Sequence, residues 1–274
     1  MKKSILDLQK QKEAGDKITM VAAYDYPSAR ALDAAGVDVI LVGDSLAMVL
    51  LGLEDTLSVG MEEMLLFTKA VSRASQKAFV LADMPFMSYQ GSSYDALMNA
   101  ARFVKEGRAN GVKLEGGEEI APSIEKIALS GIPVIAHIGL RPQALNMQGG
   151  YRVQGRSREA ALRLIAEART AQNAGASMVL MECVPAKLAQ KITQILTVPT
   201  IGIGAGVHCD GQVLVYHDFL GINTGFKPKF VRTFADLNPA EGIRGYIEAV
   251  KSLEFPSEAH GFSLDDEAWL DGLY

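Results

Sequence analysis

The sequence predicts an α/β fold: a (βα)8 TIM barrel formed by residues 1–274 as a single domain, with an N-terminal helix and a C-terminal helical extension. Short apolar runs alternate with helical patterns about eight times along the chain. The runs are not broken by alternating polar residues, which is typical of strands buried on both faces of a parallel sheet. The helices supply the crossovers that parallel strands need. A length of 274 residues and an apolar fraction of 49% suit one such barrel and its core.

Each predicted strand is an apolar run, and the last run has the weakest pattern. The runs occupy residues 18–23, 37–42, 78–82, 111–115, 132–137, 177–181 and 199–201, and part of 210–220. The predicted helices occupy residues 4–15, 28–35, 60–75, 93–110, 118–130, 158–174 and 185–196, and a stretch that begins at 239. Ser4 is a suitable N-cap for the first helix, and Gly15, Gly36 and Gly131 are suitable helix ends.

Two architectures fit this alternation, an eight-stranded barrel and an open doubly wound sheet. The barrel is favoured because polar candidate residues follow most of the runs, and the carboxyl ends of barrel strands converge on one mouth. An open sheet of the dinucleotide-binding kind is disfavoured because no G-x-G-x-x-G pattern follows the first run.

The composition argues against several classes of protein. A net charge of −5 and a pI near 5.5 argue against a nucleic-acid partner. No apolar stretch reaches the roughly 20 residues of a membrane span, and no signal-peptide pattern follows Met1. Cys183 and Cys209 lack C-x-x-C spacing, which argues against a zinc site or a disulfide framework. We therefore expect a cytoplasmic protein without a membrane partner.

Three carboxylates end predicted strands, namely Asp44, Asp83 and Glu115. In a barrel they would meet at the mouth, where they would repel one another and lose solvation. A hard divalent cation resolves that conflict, and Mg²⁺ prefers oxygen ligands and keeps positions open for substrate. Zinc is disfavoured because the runs offer no Cys/His ligand set. The alternative is that each carboxylate caps the following helix or pairs with a lysine.

Three further polar residues lie on the predicted strands or at their ends. Lys113 shares a sheet face with Glu115 and suits either a substrate carboxylate or an ion pair with a neighbour. Glu182 follows an apolar run, where a partly desolvated carboxylate can serve as a general base or as a buried structural residue. His137 is given a supporting role, because a lone histidine at a strand end is more often structural.

Three loops each allow a functional and a structural interpretation, and the sequence does not decide between them. The glycine-rich loop 202–206 suits either anion binding or tight packing of the mouth. The loop 149–155 suits a lid or a surface connection, and 225–230 suits an anion contact or a solvated turn. The residues alone therefore predict a magnesium-dependent barrel enzyme that acts on a small oxyanion through an enolate-type step.

In this order and spacing, the motifs resemble the ketopantoate hydroxymethyltransferase family over residues 18–237. The motifs that carry the resemblance are Ala22-Ala23-Tyr24-Asp25, Val42-Gly43-Asp44-Ser45, Ala82-Asp83-Met84-Pro85-Phe86, Val112-Lys113-Leu114-Glu115-Gly116, His137-Ile138-Gly139-Leu140, Gly202-Ile203-Gly204-Ala205-Gly206, His217-Asp218 and Lys227-Pro228-Lys229-Phe230. The resemblance implies a (βα)8 barrel that uses Mg²⁺. It implies transfer of a hydroxymethyl group from 5,10-methylenetetrahydrofolate to 3-methyl-2-oxobutanoate, giving 2-dehydropantoate on the route to pantothenate and coenzyme A.

The resemblance also implies roles for individual residues. The family's metal positions fall on Asp44, Asp83 and Glu115. Its 2-oxo acid contacts fall on Asp44, Ser45, Asp83 and Lys113. Its proton acceptor falls on Glu182, and the family is commonly a homodecamer of two stacked five-membered rings.

Two rival functions remain at this stage. The first is a C–C lyase or mutase of the phosphoenolpyruvate mutase/isocitrate lyase kind, which also places aspartates at barrel strand ends and uses an enolate. Such enzymes usually carry a K-K-C-G-H-type motif, and this sequence has none. The second is a non-catalytic barrel that serves as a scaffold, which is disfavoured because the three carboxylates and Glu182 are all present.

Overall fold

The computed structural model describes residues 2–223, 227–234 and 239–265, and its strands close into a barrel in the order β1 to β8. The strands are β1 Ile18–Ala22, β2 Val39–Val42, β3 Phe79–Asp83, β4 Gly111–Glu115, β5 Val134–Gly139, β6 Met178–Glu182, β7 Thr200–Ile203 and β8 Gly211–Val215. Every neighbouring pair is parallel, including β1 with β8. The predicted barrel is therefore confirmed, and so is its weakly patterned eighth strand.

Helices connect the strands and surround the barrel. They are α1 Ile5–Ala14, α2 Tyr26–Ala35, α3 Leu46–Val49, α4 Met61–Ala74, α5 Ser93–Lys105, α6 Ala121–Leu129, α7 Leu145–Gln148, α8 Arg158–Asn173, α9 Ala186–Ile195, α10 Tyr216–Phe219 and α11 Pro239–Lys251. None of the helices in the described ranges combines the length and the apolar character that a membrane crossing requires.

The ends of α1 follow the prediction. The Ser4 side chain accepts a hydrogen bond from the main-chain N–H of Asp7, and the Asp7 carboxylate accepts one from Ser4 in return. Gly15 ends the helix in the left-handed conformation, with φ of +77°, which glycine adopts without steric cost. These caps fix where the N-terminal helix begins and ends.

Three predicted helix boundaries are wrong by two residues or more. The helix predicted over 93–110 ends at Lys105, because Arg108 has φ of +59° and turns the chain towards β4. The helix predicted from 28 begins at Tyr26, because the Asp25 carboxylate caps it by accepting the N–H of Ser28 at 2.9 Å. The helix predicted from 118 begins with a 3₁₀ turn, and α6 itself starts at Ala121.

Two stretches of the chain fall partly or wholly outside the described residues. Positions 225 and 226 of the loop 225–230 lie outside them, as do residues 266–274 at the C-terminus. The loop 149–155 is described, and it follows a 3₁₀ turn at Pro142–Ala144 and the short helix α7.

The core follows from the strand sequences. All residues of β1 to β5 are buried, as expected for strands covered on both faces. A second apolar cluster joins β5 and β6 to α8 and α9, and includes Ile138, Leu164 and Leu188. On the other side of the barrel, the Tyr246 hydroxyl of α11 donates to the main-chain carbonyls of Met20 and Gln212 at 2.9 and 2.8 Å. The rigid core holds the strand ends in register at the mouth.

Candidate active site at the carboxyl ends of the strands

The three predicted metal residues meet at the mouth of the barrel. Asp44 follows β2, Asp83 ends β3 and Glu115 ends β4. One carboxylate oxygen from each lies within 4.8 Å of those from the other two. All three residues are at least nine-tenths buried, with 4%, 1% and 5% of their surfaces exposed. The arrangement brings three oxygen donors to one point, as the strand ends predict.

Lys113 is the cation of this cluster. It lies opposite Asp83 in the register of β3 and β4, and its Nζ donates to both Asp83 oxygens at 2.7 Å and to Glu115 Oε1 at 3.3 Å. Burial lowers the pKa of Lys113, but Asp83, Glu115 and Asp44 outweigh burial and raise the pKa above its ordinary value. Lys113 is therefore charged at neutral pH, in the ion pair that the sequence left as one of two possibilities.

One ammonium does not balance three carboxylates, and Asp44 carries the excess. Burial, together with the charges of Asp83 and Glu115, raises the pKa of Asp44 well above its usual range. Burial also raises the pKa of Glu115, but Lys113 and His137 outweigh it and lower that pKa to about 2. A hard divalent cation offsets such an excess, because carboxylate oxygens have lone pairs left after each hydrogen bond. The donor set therefore fits Mg²⁺.

His137 lies between the cluster and Glu182. Its Nδ1 is 3.3 Å from Glu115 Oε1 and its Nε2 is 3.4 Å from Glu182 Oε2. These are ion-pair contacts, because neither ring nitrogen makes a hydrogen bond of good geometry. Burial and Lys113 lower the pKa of His137, but Glu115 and Glu182 outweigh them and raise it to about 9. The histidine given a supporting role from the sequence thus contacts two of the candidate residues.

Glu182 ends β6 on the far side of His137 from the cluster. Its side chain is 16% exposed, more open to the cavity than the 2% of the Glu115 side chain. Close approach of β5 and β6 holds it in place, because Leu140 donates its N–H to the Glu182 carbonyl at 2.9 Å. A Cβ on Gly139 would lie 2.4 Å from that carbonyl oxygen, so this contact requires glycine.

Ser45 and the loops complete the mouth. The Ser45 hydroxyl lies 2.8 Å from that of Tyr24, a buried residue to which sequence reasoning gave no role of its own. The cavity above the carboxylates measures about 680 Å³, and Tyr151 of the loop 149–155 and Phe230 line it. In the loop 202–206, a Cβ on Gly206 would lie 2.5 Å from that of Ala186, which favours the packing interpretation of this loop.

Sequence reasoning missed a polar pair beneath the cluster, Gln143 and Tyr89. Gln143 donates to Asp44 Oδ2 at 2.8 Å and accepts a hydrogen bond from the Tyr89 hydroxyl at 2.7 Å. Both residues are buried and lie in loops that follow strands. No periodic pattern marks a loop residue as pointing inward, so the sequence offered no signal for this pair.

Comparison with known proteins gives a consistent result. The model of the family "Ketopantoate hydroxymethyltransferase" matches residues 2–258. A 3-methyl-2-oxobutanoate hydroxymethyltransferase of Campylobacter jejuni (strain RM1221) is 61% identical over 100% of both chains. Another, of Carboxydothermus hydrogenoformans, is 54% identical over 99% of both chains.

Solved structures share the fold at low sequence identity. A 2,3-dimethylmalate lyase of the PEP mutase/isocitrate lyase superfamily has a TM-score of 0.57 and 19% identity, over 98% of this chain and 93% of that chain. Phosphonopyruvate hydrolase in complex with oxalate and Mg²⁺ has a TM-score of 0.60 and 14% identity, over 94% of this chain and 93% of that one. At these identities the likeness shows the TIM-barrel fold alone.

Proposed function

Because the chain belongs to the ketopantoate hydroxymethyltransferase family and is a transferase of hydroxymethyl groups, we propose that its acceptor substrate is 3-methyl-2-oxobutanoate. The donor is 5,10-methylenetetrahydrofolate and the product is 2-dehydropantoate, for pantothenate and coenzyme A biosynthesis. One observation carries the chemical part of this proposal. A buried triad of carboxylates with a paired lysine faces a more exposed glutamate across His137.

The lysine and the serine suit the acid end of the substrate. Lys113 keeps its positive charge beside Asp83, and a buried ammonium attracts a substrate carboxylate more strongly than an exposed one does. The hydroxyl of Ser45 lies against that of Tyr24 and can donate a second hydrogen bond to the same carboxylate. Asp44 and Asp83 complete the proposed contacts with the 2-oxo acid.

Asp44, Asp83 and Glu115 are the residues that would hold Mg²⁺. When bound, Mg²⁺ supplies a Lewis acid that polarises the 2-oxo group and stabilises the enolate charge. We expect EDTA to abolish turnover and added Mg²⁺ to restore it, measured as 2-dehydropantoate formed. Full activity of the metal-free protein would contradict this part of the proposal.

Glu182 is the proposed general base. Its carboxylate is partly exposed in the cavity, and His137 contacts it at 3.4 Å and restricts its position. It takes the proton from C3 of the oxo acid. Water cleaves the two C–N bonds of the folate's methylene carbon and supplies the hydroxyl oxygen, tetrahydrofolate leaves, and the C3 nucleophile forms the new C–C bond to that carbon. A positioned general base contributes about 10²–10⁴-fold to the rate.

Exchange of the C3 proton into D2O tests this assignment without folate. We expect Glu182→Gln to slow exchange by about 10³-fold, while the dissociation constant of the oxo acid changes little. Glu118→Gln is the matched control, because Glu118 is exposed beyond β4 and its variant should exchange at the wild-type rate. Exchange by Glu182→Gln at the wild-type rate would remove Glu182 from the mechanism.

We also propose that the protein acts as a cytoplasmic homo-oligomer, a decamer by family resemblance. Both described cysteines are free thiols, in keeping with a reducing compartment. Apolar side chains at the mouth end are exposed, including Leu51, Phe86 and Met87 at 44%, 40% and 61%, and such residues commonly meet a second subunit. Light scattering after size-exclusion chromatography should give the mass of about ten chains, and a monomeric mass would contradict the oligomer.

A further inference from the structure

The amide of Gln143 is fully hydrogen-bonded beneath the carboxylate cluster. Its Nε2 donates to Asp44 Oδ2 at 2.8 Å and to the main-chain carbonyl of Met84 at 2.9 Å. Its Oε1 accepts from the Tyr89 hydroxyl at 2.7 Å and from Gln90 Nε2 at 3.3 Å. Both protons and both lone pairs of the amide therefore have partners, and only 6% of Gln143 is exposed.

The main chain of the same residue holds a second carboxylate. The N–H of Gln143 donates to Glu115 Oε2 at 2.9 Å. The Tyr89 hydroxyl that donates to the Gln143 amide also accepts the N–H of Glu115 at 2.9 Å. Gln143 thus contacts Asp44 through its side chain and Glu115 through its backbone, although the two acids follow different strands.

Only one orientation of this amide is compatible with its surroundings. Rotation by 180° about the last side-chain bond would set its oxygen against the Asp44 carboxylate and the Met84 carbonyl. It would also set its NH2 group against the donor Nε2 of Gln90. The Tyr89 hydroxyl keeps the observed orientation, so the amide presents a fixed pair of donors to groups that accept.

We propose that Gln143 is the positioning residue of the cation site, which fixes Asp44 and Glu115 at the separation that a bound divalent cation needs. This inference rests on the proposed metal role of those carboxylates. Without the two N–H donors, the mutually repelling carboxylates are free to separate. Outer-shell partners of this kind typically change metal affinity by about 10–100-fold when they are lost.

Binding of Mn²⁺, which prefers the same oxygen ligands as Mg²⁺, tests the proposal in the absence of substrates. The variant is Gln143→Met, which keeps the length of the side chain and removes the donor to Asp44, whereas the main-chain donor to Glu115 remains. We expect it to raise the Mn²⁺ dissociation constant by about 10–100-fold, measured from the electron paramagnetic resonance signal of free Mn²⁺. The Mg²⁺ concentration for half-maximal turnover should rise by the same factor.

Gln148→Met is the matched control, because Gln148 lies in the same loop but, among the described residues, its side chain bonds only to the main chain of Gly139 and Arg141. Its Mn²⁺ dissociation constant should stay within about threefold of wild type. Tyr89→Phe serves as a second variant that keeps Gln143 but removes the hydroxyl group that donates to its amide oxygen. We expect it to weaken Mn²⁺ binding by less than Gln143→Met does.

The outcomes separate this inference from the proposed metal site. Wild-type protein that binds no Mn²⁺, or that binds it equally well as Asp44→Asn, overturns the metal site and the inference with it. Wild-type binding that neither Gln143→Met nor Tyr89→Phe weakens overturns the positioning role alone. A lower Tm with an unchanged Mn²⁺ dissociation constant also overturns it, because a merely structural residue gives that result.

Discussion

The two ends of the barrel hold buried acids in opposite electrostatic situations. At the amino ends of the strands, Asp38 accepts the N–H and the hydroxyl of Thr19 at 2.7 and 2.8 Å and forms an ion pair with Lys3. Asp210 repeats this arrangement with Thr200 and Lys12. At both places the acid precedes one strand and joins it to its neighbour, β2 to β1 and β8 to β7.

Asp33 shows the same pattern from a helix. Its Oδ1 accepts the N–H groups of Lys77 and Ala78 at 2.8 and 2.9 Å and the Ser75 hydroxyl at 3.0 Å, just before β3. Burial raises the pKa of Asp33, but these hydrogen bonds outweigh it, and the pKa lies below its ordinary value. Folding therefore favours the ionised form of this acid.

At the carboxyl ends, Asp44 and Asp83 lack such compensation, and their pKa values are raised, whereas that of Glu115 is lowered. Asp44 accepts one side-chain hydrogen bond, from Gln143, among the described residues, and its pKa is raised by burial and by Asp83 and Glu115. Lys113 is shared between Asp83 and Glu115, and His137 adds a second ion pair to Glu115. The comparison teaches that buried acids stabilise the amino end of this barrel, whereas at the carboxyl end Asp44 and Asp83 cost stability and help to form a candidate ligand site.

The largest effect is expected when one of the carboxylates at the mouth, Asp44, loses its charge. Asp44→Asn keeps the shape of the side chain but removes a charge and a proposed metal ligand. Lewis-acid stabilisation is worth several kcal/mol and each 1.36 kcal/mol is tenfold in rate, so kcat/KM should fall by about 10³-fold. In EDTA, the free energy of unfolding should rise by about 0.5–2 kcal/mol, because repulsion is relieved.

Asp38→Asn is the matched control for that variant at the opposite end. It should lower the free energy of unfolding by about 1–3 kcal/mol and leave kcat/KM of the folded protein unchanged. Urea unfolding measures the free energy of unfolding of each variant, and steady-state kinetics measure its kcat/KM. If both variants lose stability by similar amounts, the proposed difference between the two ends is wrong.

The second prediction concerns the acid that ties α2 to β3. Asp33→Ala leaves the buried N–H of Ala78, the N–H of Lys77 and the hydroxyl of Ser75 without their acceptor. We expect a loss of about 3 kcal/mol in the free energy of unfolding and a decrease in Tm of roughly 6–12 °C. Glu125→Ala, at an exposed position of α6, should change stability by no more than about 0.5 kcal/mol. Equal Tm values for the two variants would contradict the prediction.

The sequence predicts where the strand-end acids lie better than it predicts the contacts around them. The barrel and the positions of Asp44, Asp83, Glu115 and Glu182 follow from apolar runs, because the carboxyl ends of parallel strands must meet. Their metal and base roles stay predictions. The contact of His137 with Glu115 could in principle have been predicted, since the two residues lie opposite each other in the register of β4 and β5.

The contacts made by loops could not be predicted from the sequence. Gln143 and Tyr89 reach the cluster from segments after β5 and β3 whose paths depend on packing, which periodicity does not encode. The overlong helix predicted to residue 110 has a similar cause. A helical pattern continues through Lys105, and the chain then leaves the helix before Arg108, whose left-handed backbone few non-glycine residues adopt.

The smallest expected effect is the pH dependence of the stability that Asp33 contributes at the amino end. The pKa of Asp33 is lowered from an ordinary value of 3.8, so its stabilising contribution is present above that value and is lost as pH falls through the folded-state pKa. The difference in unfolding free energy between wild type and Asp33→Asn should therefore be constant above about pH 5 and shrink as the pH falls further. Urea unfolding from neutral to acidic pH measures it, with Glu125→Gln as the control whose difference stays flat. A difference that grows on acidification would mean that folding favours the protonated form of Asp33, and the amino end would then resemble the mouth.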